Sequence, residues 1–315
     1  MMGATEERSL LPGLASILTL LVCQWFLAPR LAAADASIVT KIEPGKARVI
    51  LVLSPHADDA TLFIGGTVAA WSDAGWRVVV VRVTDDRWDS VGLPEADTIV
   101  RNAAELREAM TILGVRDVID LGLPTDVLGD ADRLKIRERI IWLIRTWKPY
   151  AVATIDPYSG VHEDNQDHIV VAEAAAEAFW TAQFDKHHPE HMASGLQPHG
   201  VVERWYFGRP VREVTDVVDI SKTLHRKLQA ALAHRTPLRN IVHQLRLQAR
   251  TAGYRLQSLE DAQKGDFTQL VENFIGVPAR AKGERFGVGA AEEFRVVRFD
   301  LLETLRAHGE PLDAQ

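Results

Sequence analysis

Residues 48–84 read RVILVLSPHADDATLFIGGTVAAWSDAGWRVVVVRVT. The runs 48–53 and 76–84 are almost continuously apolar rather than alternating, the pattern of strands buried on both faces. Between them, 61–74 has helical spacing, with Gly65-Gly66 near its start and Gly75 as a stop. The stretch therefore reads strand, helix, strand. The same alternation continues downstream. A helix is expected over 98–113, anchored by Ala104, Leu106, Ala109, Met110 and Leu113 and closed by Gly114. A strand follows at 116–121, then a helix over 130–147 stopped by Pro149. A further strand is expected at 150–155 and a helix over 165–182 around AEAAAEA. Strands alternating with helices predict an α/β, Rossmann-like, mostly parallel sheet with helices on both faces. Residues 183–200, with His187, His188, His191 and His199, read as a solvated surface excursion. A strand at 201–207 and helices over 220–234 and 241–253 complete the legible part.

In such sheets, sites form beyond the carboxyl ends of the strands. The loops after Leu53, Thr84, Leu121 and Ile155 are the ones to search. The first reads Ser54-Pro55-His56-Ala57-Asp58-Asp59, one imidazole and two carboxylates within four residues. Imidazole with carboxylate suits zinc or another divalent metal. One aspartate can ligate while its neighbour stays free as a base. The competing reading is turn chemistry, with Asp as an N-cap and dipole partner. The loop after 150–155 reads DPYSGVHEDNQDH, ending at His168. A catalytic zinc takes three protein ligands and keeps one position open. His56, one aspartate of the pair and His168 would supply them. The plainer readings are a solvated first-turn residue for His168 and an ordinary loop residue for His162. Trp88 and Trp180 could stack on a sugar, but core placement is the default for tryptophan.

The whole chain has 315 residues, 47% of them hydrophobic and 25% charged. These values exclude a disordered or collagen-like chain. A net charge of −7 leaves no basic footprint for nucleic acid. The only cysteine is Cys23, so no intramolecular disulfide or cysteine-built zinc site can form. Any metal must be held by His, Asp or Glu. Residues 9–28, SLLPGLASILTLLVCQWFLA, carry no charge, and LAAADA follows Arg30. Small residues at A-x-A spacing after an apolar run predict a secretory signal peptide, and the run is also long enough for an uncleaved N-terminal anchor. The expected organisation is residues 1–36 for export or anchoring and 37–315 as one catalytic domain, periplasmic, secreted or membrane-anchored.

SPHADDATLFIGGTVAAW resembles the opening motif of the PIG-L/LmbE family of zinc-dependent de-N-acetylases, a His-Pro-Asp-Asp turn followed by a glycine pair. Ala57 stands in the proline position. Further matches come in order: 81–85, ending in Thr-Asp; Glu105, Ala109 and Leu113-Gly114-Val115; Asp167-His168 for the family's His-x-Asp-His; Val218-Asp219-Ile220-Ser221 with Lys227, Ala230 and His234; and Ala291-Glu292-Glu293-Phe294-Arg295. The resemblance runs from about residue 48 to 298. It implies hydrolysis of an N-acetyl group, usually on an N-acetylglucosamine moiety of a small molecule or glycoconjugate. It also implies zinc on His56, Asp59 and His168, with Asp58 as general base. Two positions depart from the family. Asn165 falls on the first His of His-x-Asp-His, so Asn165 as a neutral donor or the nearby His162 would take over its work on the oxyanion or leaving amine. Asn102 falls on a substrate-binding arginine, with Arg101 beside it as the candidate. The competing functions are a zinc amidase for another N-acyl conjugate and a non-catalytic carbohydrate-binding relative. A dinucleotide enzyme is disfavoured, because Gly65-Gly66 lacks the G-x-G-x-x-G spacing and the first loop is acidic. The sequence leaves the oligomeric state open.

Overall fold

The computed structural model describes residues 38–44, 48–158, 163–298, 304–305 and 308–310. The expected export segment and His162 lie outside them. Eight strands form one sheet in the order β1-β7-β8-β6-β5-β2-β3-β4. They are β1 (Val39–Thr40), β2 (Val49–Ser54), β3 (Arg77–Thr84), β4 (Asp117–Leu123), β5 (Ala151–Ile155), β6 (Glu203–Phe207), β7 (Asp216–Asp219) and β8 (Ala291–Arg298). All pairings are parallel except those of β8, which runs antiparallel between β6 and β7. The expected α/β class and mostly parallel sheet are what the chain adopts. Strands β1, β7 and β8 have no counterpart among the expected strands. The expected helix over 220–234 begins only at Leu224.

The strands are packed on both sides. Ile50 and Val52 face one layer with α1 (Asp59–Asp73), α2 (Glu95–Leu113) and α6 (Leu224–Ala233). Leu51 and Leu53 face the other, against α3 (Arg133–Trp147) and α4 (Gln166–Thr181). This two-sided burial is why β2 and β3 read as apolar runs rather than alternating ones. A smaller apolar cluster joins α7 (Arg235–Thr251), α8 (Gln257–Gln263) and the segment 267–275. Both main layers and all eight strands are built from residues 38–298. Among the described residues no helix is long and apolar enough to cross a membrane.

Helix α1 is broken at Ile64, whose φ of −129° is not helical. The glycine pair lies just after the break. A Cβ on Gly66 would sit 2.8 Å from Ile220, and one on Gly65 would sit 3.2 Å from Lys227. The freed backbone groups find new partners. Phe63 O accepts from Lys227 Nζ (2.9 Å), and the amides of Gly66 (3.0 Å) and Thr67 (2.8 Å) donate to Glu292. Lys227 and Glu292 pair directly at 2.6 Å inside the protein. The family-like residues Lys227 and Glu292 thus fasten the helix that follows the first acidic loop.

Strand order reverses around β2, which lies between β5 and β3. A crevice is expected at the carboxyl ends there. His56 follows β2 and His168 follows β5, so the two histidines straddle it.

Candidate metal centre

Four loops meet at this edge, those after β2, β3, β4 and β5. In the first, Ser54 Oγ donates to His56 O (2.6 Å) and accepts from Ala60 N (3.1 Å), closing a tight turn. The His56 amide donates to Asp59 Oδ2 at 2.8 Å. His168 arrives in the first turn of α4. Asn165 caps that helix by accepting from the Asp167 amide at 2.9 Å, a side-chain N-cap.

His56 Nδ1 lies 3.2 Å from His168 Nε2. Asp59 reaches both, Oδ2 at 3.4 Å from His56 Nδ1 and Oδ1 at 3.3 Å from His168 Nε2. All three residues are buried. Bonds of about 2.0–2.1 Å to a tetrahedral ion place ligand atoms about 3.3 Å apart. The two histidine nitrogens stand at such an edge, Asp59 turns one oxygen to each of them, and one ligand atom from each of the three residues lies within 4.8 Å of the others. The far nitrogens are also held. His168 Nδ1 is 2.9 Å from Glu163 Oε2, and His56 Nε2 is 3.3 Å from Asp167 Oδ2. When each far nitrogen donates to its carboxylate, the converging nitrogen presents a lone pair. Asp167 is fixed in turn by the amides of Asp126 (2.7 Å) and Leu128 (3.2 Å), from the loop after β4. The donor set and its second layer therefore fit a divalent metal on His56, Asp59 and His168.

The electrostatics fit the same reading. Burial works against charge on His56, but bonds to Asp167 and Asp59 raise its pKa well above 6.5. Burial likewise opposes charge on His168, yet Asp59 and Glu163 lift it to about 9. Burial would push Asp59 up, and the two histidines hold it well below the usual carboxylate range. Asp58, in the same turn, is pushed up to about 7 by burial and then by the charges of Asp59 and Asp89. Asp86 is pushed up to about 8 and Asp89 to about 6, burial being the main cause in both. These two come from the loop after β3. Asp86 has a left-handed φ of 55° and is held by Thr84 Oγ1 (3.0 Å) and Arg82 (3.2 Å).

The structure brings together His56, Asp58, Asp59 and His168 and sets Asn165 at the helix cap beside them. Arg101 is exposed on α2. Asn102 points inward, its amide 3.3 Å from Asp86 O, so the departure from the family pattern tethers the β3 loop. Glu163, Asp167, Asp86 and Asp89 were given no role from sequence. The sequence signal for Asp86 is the pair Asp85-Asp86 at the carboxyl end of β3. Two surface readings need correction. His191 is buried between Arg145 (3.1 Å) and Glu138 (2.9 Å) rather than solvated, because the excursion folds back as α5 (Pro189–Ala193). Trp88 and Trp180 are 47% and 56% exposed, not core, since they lie on outer faces beside Glu95 and Phe184.

Residues 51–179 match the family PIG-L, GlcNAc-PI de-N-acetylase. The diacetylchitobiose deacetylase of Thermococcus kodakarensis is 28% identical over 195 residues, covering 59% of this chain and 68% of that protein. A 1D-myo-inositol 2-acetamido-2-deoxy-alpha-D-glucopyranoside deacetylase of Rhodococcus jostii is 28% identical over 243 residues, covering 60% and 81%. Among solved structures, the N,N'-diacetylchitobiose deacetylase of Pyrococcus horikoshii superposes with a TM-score of 0.66 at 20% identity, covering 94% of this chain and 97% of that one. That likeness establishes the fold.

Proposed function

We infer, from the PIG-L family domain formed by residues 51–179, that this chain is a zinc-dependent N-deacetylase acting on an N-acetylglucosamine-type amino sugar. The observation that carries the reading is the convergence of His56, Asp59 and His168, buried together with one ligand atom of each within 4.8 Å of the others. Beside that trio stands an aspartate whose pKa of about 7 suits proton transfer. The relatives that deacetylate diacetylchitobiose and an acetamido-glucosyl inositol support the substrate class.

His56, Asp59 and His168 would hold a divalent ion, which would supply Lewis acidity and a water ligand of pKa about 7. The residues do the rest. Glu163 and Asp167 fix the imidazole tautomers. Asp58 accepts the proton of the attacking water and holds it at its carboxyl group. The departing amine takes a proton from Asp58 or from His162. Asn165 cannot supply one as an acid. Its carbonyl oxygen is committed to the helix cap, which leaves its NH2 as a neutral donor toward the oxyanion. Arg101 is proposed as a substrate contact, and residues 1–36 as an export or anchoring segment ahead of one catalytic domain.

The test is metal analysis of the purified chain, followed by acetate release from N-acetylglucosamine derivatives including diacetylchitobiose. Expected are about one zinc per chain and acetate release that chelation abolishes and zinc restores. Metal binding with hydrolysis only of other N-acyl conjugates would select the amidase reading. Metal binding with no hydrolysis would select the carbohydrate-binding one.

A further inference from the structure

We propose that the outer face of α7 is a docking surface for anionic phospholipid. The chain is acidic as a whole, yet residues 235–259 contain five arginines and no carboxylate. The helix is anchored inward by Leu238 and Val242, with Ile241 and Leu245 behind them, so its outward face is free to contact something else. That face presents Arg239, His243, Leu247 and Arg250 at intervals of four, four and three, which places them along one stripe, and Tyr254 follows just beyond the helix end. Leu247 is 50% exposed and Tyr254 56%.

The arginines are unequally compensated. Arg235 is bound by Glu108 and Glu105. Arg246 and Arg255 share the single carboxylate of Glu260. Arg239 and Arg250 have no ion-pair partner among the described residues. The face therefore carries a net positive charge in an acidic protein. Cationic residues interleaved with an apolar chain and an aromatic ring suit a headgroup layer, where arginine meets phosphate and leucine and tyrosine enter the interface. The uncharged run at 9–28 of the same chain favours this occupant over an acidic protein or polymer. Helix α7 also starts beside the metal centre, because His234 Nε2 lies 2.9 Å from Thr61 Oγ1 in α1.

The experiment uses the chain from residue 37, which contains all the strands and both main core layers. It is sedimented with phosphatidylcholine vesicles, with and without phosphatidylglycerol. Binding is expected only to the anionic vesicles, and 0.5 M salt, about three times physiological ionic strength, should release it. Each arginine near an anionic surface contributes about fivefold in partitioning, so R239E with R250E should weaken binding by at least about 25-fold. The thermal midpoint and acetate release of that double variant should be unchanged, which separates this surface from the deacetylase reading. Equal sedimentation of wild type and variant would overturn the proposal. So would capture by heparin without capture by anionic vesicles.

Discussion

The Lys227–Glu292 pair can be tested by a double-mutant cycle. Glu292 accepts four hydrogen bonds, from Gly66 N (3.0 Å), Thr67 N (2.8 Å), Thr67 Oγ1 (2.5 Å) and Lys227 Nζ (2.6 Å). Lys227 also donates to Phe63 O, and both side chains are buried. Burial lowers the lysine pKa, and Glu292 opposes that shift. Lys227→Met strands a carboxylate, and Glu292→Gln strands an ammonium. Breaking a buried pair this way costs about 3–5 kcal/mol. In the double variant no buried charge remains, and the glutamine oxygen still accepts from the α1 amides. It should lose no more than about 2 kcal/mol, the worth of one or two hydrogen bonds. The singles should unfold about 6–10 °C below wild type, at roughly 2 °C per kcal/mol for a domain of this size. Urea unfolding of all four proteins, followed by tryptophan fluorescence and circular dichroism, gives the coupling directly. The reasoning fails if either single variant loses less than about 1 kcal/mol, or if the double variant loses the sum of the singles.

Three further outcomes follow from the site. Asp58→Asn should lower kcat roughly 10²–10⁴-fold while metal content stays at the wild-type level; activity within threefold of wild type would remove Asp58 from proton transfer. In the metal-free protein His168, with a pKa of about 9, is protonated at neutral pH and the His56 pKa is shifted the same way, so metal uptake should release protons, and affinity should fall as pH drops below about 9. Calorimetry in buffers of different ionisation enthalpy reads this release, and identical heats in every buffer would contradict it. His234 is pushed down to about 4 by burial, below its ordinary 6.5. The unfolded chain then binds the proton more readily, so stability present above pH 6.5 is lost as pH falls toward 4, by at most about 3 kcal/mol. Urea midpoints of wild type and His234→Gln should diverge over that range; parallel curves would show that His234 does not carry the loss.

Much of this was legible because two-sided burial writes itself into sequence. The runs leading into His56 and Asp85 could hardly be anything but interior strands, and the loops that follow them are where chemistry gathers. Strand β8 escaped notice because Glu292, Glu293, Arg295 and Arg298 interrupt its apolar pattern. Three of those charges are answered by residues far away in sequence, Glu292 by Lys227, Arg295 by Asp156 and Arg298 by Glu203, while Glu293 meets Arg285 eight residues upstream. No local periodicity reports such pairs. The same holds for Glu163 and Asp167, whose roles depend on which imidazole nitrogen they meet. His191 read as solvated because its partners Arg145 and Glu138 lie some fifty residues upstream, on α3.

The placement of β8 governs when the protein can be finished. Among the described residues, strands β1 and β7 join the sheet only through β8, which follows the other seven strands in sequence. Until residue 298 has left the ribosome, β6 and β7 each keep an open edge, and the break in α1 has no carboxylate to hold it. A chain that lacks β8 thus holds His56 and Asp59 at the head of an unfastened helix. Sheet closure and helix fastening are therefore the work of one strand, whose edges join β6 to β7 while its Glu292 holds the break in α1.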